Sequence, residues 1–227
     1  MYKYVKRFLD FLLSFILLII LFIPMCIISL LIKIEDKGFS VFRQERTGKD
    51  GKTFELLKFR SMKINNNVRD FSKCDEYTKI GKFIRKTSLD ELPQLFNILK
   101  GDMSFIGPRP WIPEYYENMN ENQRHKYDVL PGLTGLAQAS GRNGISIFDK
   151  INYDLEYVEK YSFKEDLYVV FKTIYTVLKK EDVDIGKQGI KSELDQLKDY
   201  NKTSIDNQTD VSNKQEVSDL EEQLVGA

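Results

Sequence analysis

Residues suited to soft-metal or disulfide chemistry are scarce in this sequence. Among 227 residues there are two cysteines, one histidine and one tryptophan. Cys26 lies in an apolar run and Cys74 in a polar one, which leaves no disulfide framework and no paired-cysteine zinc pattern. The part outside the apolar run therefore reads as cytosolic. His125 stands alone, so a multi-histidine metal site is excluded, and a Ser-His-Asp triad through it has no nucleophile elbow to accompany it. A metal, if used, needs oxygen ligands, which means a hard ion such as magnesium. Net charge is missing as well, with 34 Lys and Arg against 34 Asp and Glu. That balance is uneven along the chain. Residues 191–227 hold four lysines and nine acids, which leaves residues 1–190 at +5. This mild basicity suits anionic headgroups or nucleotide phosphates; without a motif it is too weak to argue for nucleic acid.

What is present begins with an apolar segment. Residues 11–32 carry no charge, and as a helix they reach about 33 Å at 1.5 Å per residue, enough to cross a bilayer core. The run is too long for a signal peptide, has no small-residue cleavage site after it, and has no polar face of the kind a core helix shows. Pro24 predicts a kink. Lys3, Lys6 and Arg7 precede the segment and Lys33, Lys37, Arg43 and Arg46 follow it, so charge gives no clear orientation. The residues leave a kinked spanning helix and a re-entrant one, which leaves by the face it entered, equally open.

Beyond the anchor, residues 38–63 predict two strands joined by a hairpin turn at Lys49-Asp50-Gly51-Lys52. Arg43, Arg46, Lys58 and Arg60 alternate with apolar residues there, either as a solvated strand face or as a strip facing phosphate or lipid. Residues 64–79 are polar and read as a loop or a short exposed helix. Tyr115-Tyr116 reads as an interfacial pair. Residues 163–180 are amphipathic; packing on the core is favoured, and lying on a membrane surface is the alternative. The acidic stretch after residue 190 is expected to be disordered.

The most informative stretch is 86–110, KTSLDELPQLFNILKGDMSFIGPRP. It places Asp90 and Glu91 at the start of a helix, with Arg85 and Lys86 before them and Lys100 and Arg109 after. Asp90 as an N-cap keeps Pro93 in the first turn, which accounts for one carboxylate but not for the crowd of cations. Two prolines around Arg109 hold its backbone extended. In PGLTGLAQASGRN, residues 131–143, three glycines and a proline predict close backbone approach, with Arg142 as the one cation. Paired carboxylates among cations beside an apolar anchor suggest phosphate chemistry at a membrane surface.

These pieces resemble the bacterial sugar transferase family, small monotopic phosphoglycosyl transferases acting on polyprenyl phosphate. The resemblance rests on KRFLD (6–10), FRQERTG (42–48), KFRSM (58–62), residues 85–110 and residues 131–143. It implies an α+β, mostly helical fold. Residues 1–36 would form a re-entrant membrane helix kinked at Pro24, 37–190 a cytosolic catalytic domain with a short β-hairpin and interfacial amphipathic helices, and 191–227 a tail. The implied reaction moves a sugar-1-phosphate from a UDP-sugar to polyprenyl (undecaprenyl) phosphate at the cytoplasmic face of the cell membrane, in the inner leaflet, releasing UMP. It would be the first membrane step of a glycan such as capsule or exopolysaccharide, with downstream glycosyltransferases as partners. Asp90 would be nucleophile and Mg2+ ligand, and Glu91 its assistant. Arg109 and Arg142 would bind nucleotide or phosphate, with Arg85, Lys58 and Arg60 as further candidates. The chain departs from the family at Ile23, where serine usually precedes the proline, at Leu136, where Trp is usual, and at Ala139-Ser140, where Val-Asn is common. A tethered scaffold that binds nucleotide sugar without turnover is the alternative; loss of Asp90 or of its cations would mark it, and neither is lost.

Overall fold

The computed structural model describes residues 1–63, 77–141, 145–179 and 192–202. The fold is α+β and mostly helical. Helix α1 (Tyr2–Glu35) is followed by an antiparallel hairpin of β1 (Val41–Thr47) and β2 (Thr53–Phe59). The hairpin turn falls at Lys49–Gly51, where Asp50 and Gly51 have positive φ, as the turn residues predict. Then come α2 (Lys79–Lys86), a 3-10 turn at Leu89–Glu91, α3 (Gln94–Lys100), β3 (Ser104–Ile106), α4 (Pro113–Glu117), α5 (Glu121–Arg124), β4 (Gly132–Thr134), α6 (Leu136–Gly141), α7 (Ile147–Glu159) and α8 (Phe163–Leu178).

Helix α1 is bonded to the rest of the chain near both ends. Near its N-terminus Tyr2 and Lys6 both hold Asp166 of α8. Arg7 donates to the carbonyls of Ile98 and Leu99 at 2.6 and 2.8 Å, which supplies a cation to the open C-terminal carbonyls of α3. Asp10 accepts from the Phe105 amide at 3.1 Å. At the other end Glu35 accepts from the amides of Lys79 and Ile80, which open α2, and Asp36 pairs with Arg60 at 3.4 Å. Between these anchors Leu17, Leu18 and Leu21 pack against Leu56, Leu95, Ile98 and Met103, and Ile28 and Ile32 against Phe59 and Ile84. Pro24 lies inside the continuous helix Tyr2–Glu35. Packing on both sides of the proline holds the helical course despite the lost donor.

Strands β3 and β4 pair in parallel, Ser104 with Gly132 and Ile106 with Thr134. The glycines here are required by close backbone approach. A Cβ on Gly132 would lie 2.1 Å from the Gly107 nitrogen, and one on Gly135 2.2 Å from the Gly107 oxygen. The partner of the glycine-rich stretch is thus β3 and the Gly107-Pro108 step after it, and this contact fixes where Arg109 emerges.

Three sequence expectations change. Tyr115 is buried rather than interfacial; its ring lies 4.9 Å from that of Trp111 and its hydroxyl donates to Glu193. Helix α8 buries Asp166, Val169 and Thr176 but leaves Phe163, Leu167, Phe171, Ile174 and Leu178 exposed, so its apolar stripe does not face the core. The tail is not wholly without structure. Residues 192–202 form a helix, α9, whose Leu194 and Leu197 join the core cluster of Trp111, Tyr127, Ile147 and Ile151. Two leucines one helical turn apart suffice for docking, and the surrounding acids hide them from a composition argument.

Behind Trp111 lies a fully buried ion pair. Lys126 Nζ stands 2.6 Å from Asp154 Oδ2 and 3.5 Å from the centre of the Trp111 ring. Both side chains are almost completely shielded from solvent, so each charge depends on the other. Lys126→Met should therefore lower stability by about 3–5 kcal/mol, while Lys126→Met combined with Asp154→Leu should lose much less. Thermal unfolding of the detergent-solubilised protein tests this; equal losses in the single and double variants would contradict it.

Candidate active site

Asp90 and Glu91 sit where three elements meet. Helix α2 ends at Lys86, Thr87 follows, and Ser88 takes a left-handed conformation (φ 56°) that redirects the chain into the 3-10 turn carrying both acids. A serine there is held in a strained conformation, of the kind surrounding structure must enforce. Pro93 then precedes α3. Asp90 is consequently not the N-cap of α3, and neither that helix nor the 3-10 turn has a side-chain cap. The structural explanation that the spacing offered for this aspartate falls away.

The anchor of this turn is Asn97, which the sequence reading passed over as one more residue of an apolar helix. Its amide accepts from the Leu57 N–H at 3.0 Å and donates to the Glu55 carbonyl at 2.7 Å, so it ties α3 to β2 through the strand's own backbone. A polar residue inside the run Leu-Phe-Asn-Ile-Leu was the available signal. On the far side Gly81 lets α2 close on β2's continuation; a Cβ there would meet the Ser61 oxygen at 1.9 Å.

This scaffold brings Lys58 of β2 to Glu91, Nζ to Oε1 at 3.0 Å, while Arg109 Nη2 stands 3.8 Å from the same oxygen. The Arg85 guanidinium lies 5.0 Å over the Tyr77 ring and within electrostatic reach of both acids. Asp90 makes no ion pair among the described residues. Lys58 is thus brought together with Arg85, Arg109 and the acid pair. Arg60 is not: it binds Asp36 and the Asp36 carbonyl at the end of α1, and serves the anchor. Arg142 lies outside the described residues. Of the strand cations, Arg43 is exposed and faces Glu55 at 3.3 Å, whereas Arg46 turns to the opposite face and lines a small cleft with Leu56, Lys58, Gln94, Arg109, Pro110 and Gly132. Gln94 and Asn97 were the residues missed, and Arg46, one of the alternating strand cations, was not singled out from its neighbours.

The two carboxyls are tuned apart. Burial raises that of Asp90; Lys58 works against the rise, Glu91 adds to it, and Arg85 opposes it. Burial also opposes ionisation of Glu91, but there Lys58 and Arg109 win, and the carboxyl falls below the ordinary glutamate value. Burial lowers Lys58 despite Glu91 beside it. Glu91 is thus a charged partner already engaged, and Asp90 a half-buried carboxyl without an ion-pair partner among the described residues.

Residues 1–180 match the bacterial sugar transferase family, and the chain belongs to it. It is 37% identical over 185 residues to the UDP-glucose:undecaprenyl-phosphate glucose-1-phosphate transferase of Escherichia coli, covering 76% of this chain and 40% of that one. It is 37% identical to the exopolysaccharide production protein ExoY of Sinorhizobium fredii, over 76% of this chain and 84% of ExoY. To an uncharacterized sugar transferase, EpsL of Bacillus subtilis, it is 44% identical, over 63% and 71% of the two chains. Against several relatives, the E. coli enzyme among them, the chain spans about two-fifths of the partner's length.

The tuning has a pH signature. Glu91, with a lowered folded-state value, contributes stability at neutral pH that is lost as pH falls through that value; Asp90, with a raised one, favours unfolding as pH climbs from the ordinary aspartate range through the raised value. Lys58→Met removes the cation that lowers both, so both titration midpoints should rise. Carboxyl carbon-13 NMR reads them directly, and unmoved midpoints would contradict the assigned cause.

Proposed function

We propose that the protein transfers a sugar-1-phosphate from a UDP-sugar to polyprenyl phosphate at the cytoplasmic face of a membrane, through a covalent intermediate on Asp90. The observation that carries this is Asp90 itself: half-buried, without an ion-pair partner among the described residues, no helix cap, and in reach of Lys58 and Arg85. Family membership and the names of relatives support the substrate classes, since the E. coli relative is a UDP-glucose:undecaprenyl-phosphate glucose-1-phosphate transferase.

In the first step an Asp90 carboxylate oxygen bonds to the β-phosphorus, the bond to the bridging oxygen breaks, and its electron pair leaves with UMP. In the second, a polyprenyl phosphate oxygen attacks the same phosphorus and the aspartate carboxylate departs, giving polyprenyl-diphosphate-sugar. Lys58, Arg85 and Arg109 offset the repulsion between carboxylate and diphosphate and the charge that develops in transfer. The residues fit a magnesium ion: Asp90 keeps an uncommitted carboxylate with Glu91 beside it, and Mg2+ uses one or two carboxylates together with substrate phosphates. When bound there, it supplies further neutralisation of the transferring phosphate.

The placement of α1 supports membrane attachment through one face. A helix crossing a bilayer delivers its ends to opposite sides, yet here Lys6, Arg7 and Asp10 at one end and Glu35 and Asp36 at the other bind the same domain. The exposed apolar faces of α1 and α8 meet where the Tyr2 ring lies against Tyr161 and Phe163, which suits insertion of both into one leaflet.

Two outcomes are expected. Purified protein with magnesium and polyprenyl phosphate should release UMP from one member of a UDP-sugar panel, and Asp90→Ala should abolish release while melting like the wild type; release that survives the substitution would remove Asp90 as nucleophile. In a background with Cys26 and Cys74 replaced by serine, cysteines at Lys3 and at Lys37 should both react with a membrane-impermeant reagent from the cytoplasmic side. Reaction from opposite sides would establish a spanning helix instead.

A further inference from the structure

Arg46 occupies a position that its local partners do not explain. The Thr47 N–H donates to the Trp111 carbonyl at 2.8 Å, which presses the end of β1 against the segment that follows Arg109. Arg46 Nη1 donates to the Pro110 carbonyl at 3.3 Å and Nη2 to Gln44 Oε1 at 2.6 Å. Both acceptors are neutral, no carboxylate pairs with Arg46 among the described residues, and its Nε is buried without an acceptor. Bracing Pro110 needs one N–H; it leaves the charge and the Nε donor unused.

The cleft that Arg46 lines also holds Lys58 and Arg109. Those two share a single carboxylate, Glu91, at 3.0 and 3.8 Å. Asp90 and Glu114 act on these cations from farther off, but Glu91 is the one carboxylate ion-paired with any of the three among the described residues, and positive charge left unpaired in a partly desolvated space is what an incoming dianion would relieve. Burial and the neighbouring Arg109 lower Arg46 to about 10, which still leaves it charged at neutral pH. Arg46 bonds the Pro110 carbonyl directly after Arg109, so its guanidinium enters the cleft from the Pro-Arg-Pro side, while Asp90 lies on the turn beyond Lys58 and Glu91.

We propose that Arg46, together with Arg109, binds the α-phosphate of the nucleotide, the group that leaves when the β-phosphorus is attacked from the Asp90 side. This rests on the sugar-phosphate transfer reading above. As the bond from Asp90 forms, the electron pair of the breaking bond settles on the bridging oxygen of the departing nucleoside monophosphate. That product leaves largely as a dianion at neutral pH, its second pKa being about 6, so no proton need be delivered. Two guanidinium forks can meet its oxygens, one from the strand and one from the Pro-Arg-Pro turn.

The test is ligand affinity, measured independently of turnover. UMP, UDP and uridine are titrated by calorimetry into the full chain in detergent, for wild type, Arg46→Gln and Arg46→Lys, with the melting temperature of each unliganded protein recorded. Arg46→Gln should weaken UMP and UDP by about tenfold or more, as loss of a charge-assisted contact does, while leaving uridine affinity unchanged. Arg46→Lys, which keeps the charge and loses the fork, should fall between. If UMP and UDP bind Arg46→Gln as they bind the wild type and only melting falls, Arg46 is a brace for Pro110 and the proposal is overturned. If that happens while the wild type releases UMP from a UDP-sugar and Asp90→Ala does not, the transfer reading stands and only the role of Arg46 fails. A wild type that binds neither UMP nor UDP would overturn both.

Discussion

The contact between Lys58 and Glu91 joins the hairpin to the turn that carries both acids, and it divides the labour between adjacent carboxylates. Glu91 is engaged by Lys58 and approached by Arg109, and so it stays ionised. Asp90 shares the field without being held by it. Removing Lys58 would leave two neighbouring carboxylates facing each other with weaker compensation, one of them half-buried. A carboxylate that must attack an anionic diphosphate needs cations close enough to lower repulsion, but not paired so tightly that its oxygens are occupied. The arrangement at Asp90 meets both conditions.

The surrounding structure serves to hold that contact in place. Asn97 ties α3 to β2 through backbone groups, so the turn and the strand bearing Lys58 cannot shift independently. The parallel pairing of β3 with β4, possible only because Gly107, Gly132 and Gly135 let backbones touch, sets the origin of Arg109. Helix α1 binds both ends of this assembly and leaves its outward apolar face exposed. On the proposed function, a soluble phosphate donor and a lipid-borne acceptor would meet at a site whose distance from the membrane is set by side chains such as Arg7 and Glu35.

Much of this was legible because local chemistry announces itself. The hairpin followed from a turn sequence, the anchor from an uncharged run, and the acid pair among cations from simple adjacency. The rest depended on contacts distant in sequence. Arg60 read as a phosphate ligand like Lys58, but its partner is Asp36, which no spacing reveals. A helix cap was the structural alternative for Asp90 because Pro93 lies three residues on; the left-handed turn at Ser88 that rules it out has no glycine to mark it. Amphipathicity located the stripe on α8 without saying whether protein or lipid covers it, and Leu194 and Leu197 were too few to stand out from an acidic tail. The glycines of residues 131–143 did signal close approach, but to the strand beside them.

The central claim is that Asp90 carries the phosphosugar. Incubating the protein with its UDP-sugar and magnesium, without polyprenyl phosphate, and mapping the digested chain by mass spectrometry tests it most directly. The account predicts one added hexose-phosphate-type mass, confined to the peptide that contains Asp90 and discharged when polyprenyl phosphate is supplied. Transfer that proceeds fully with no adduct at any time, or an adduct on another residue, would contradict it.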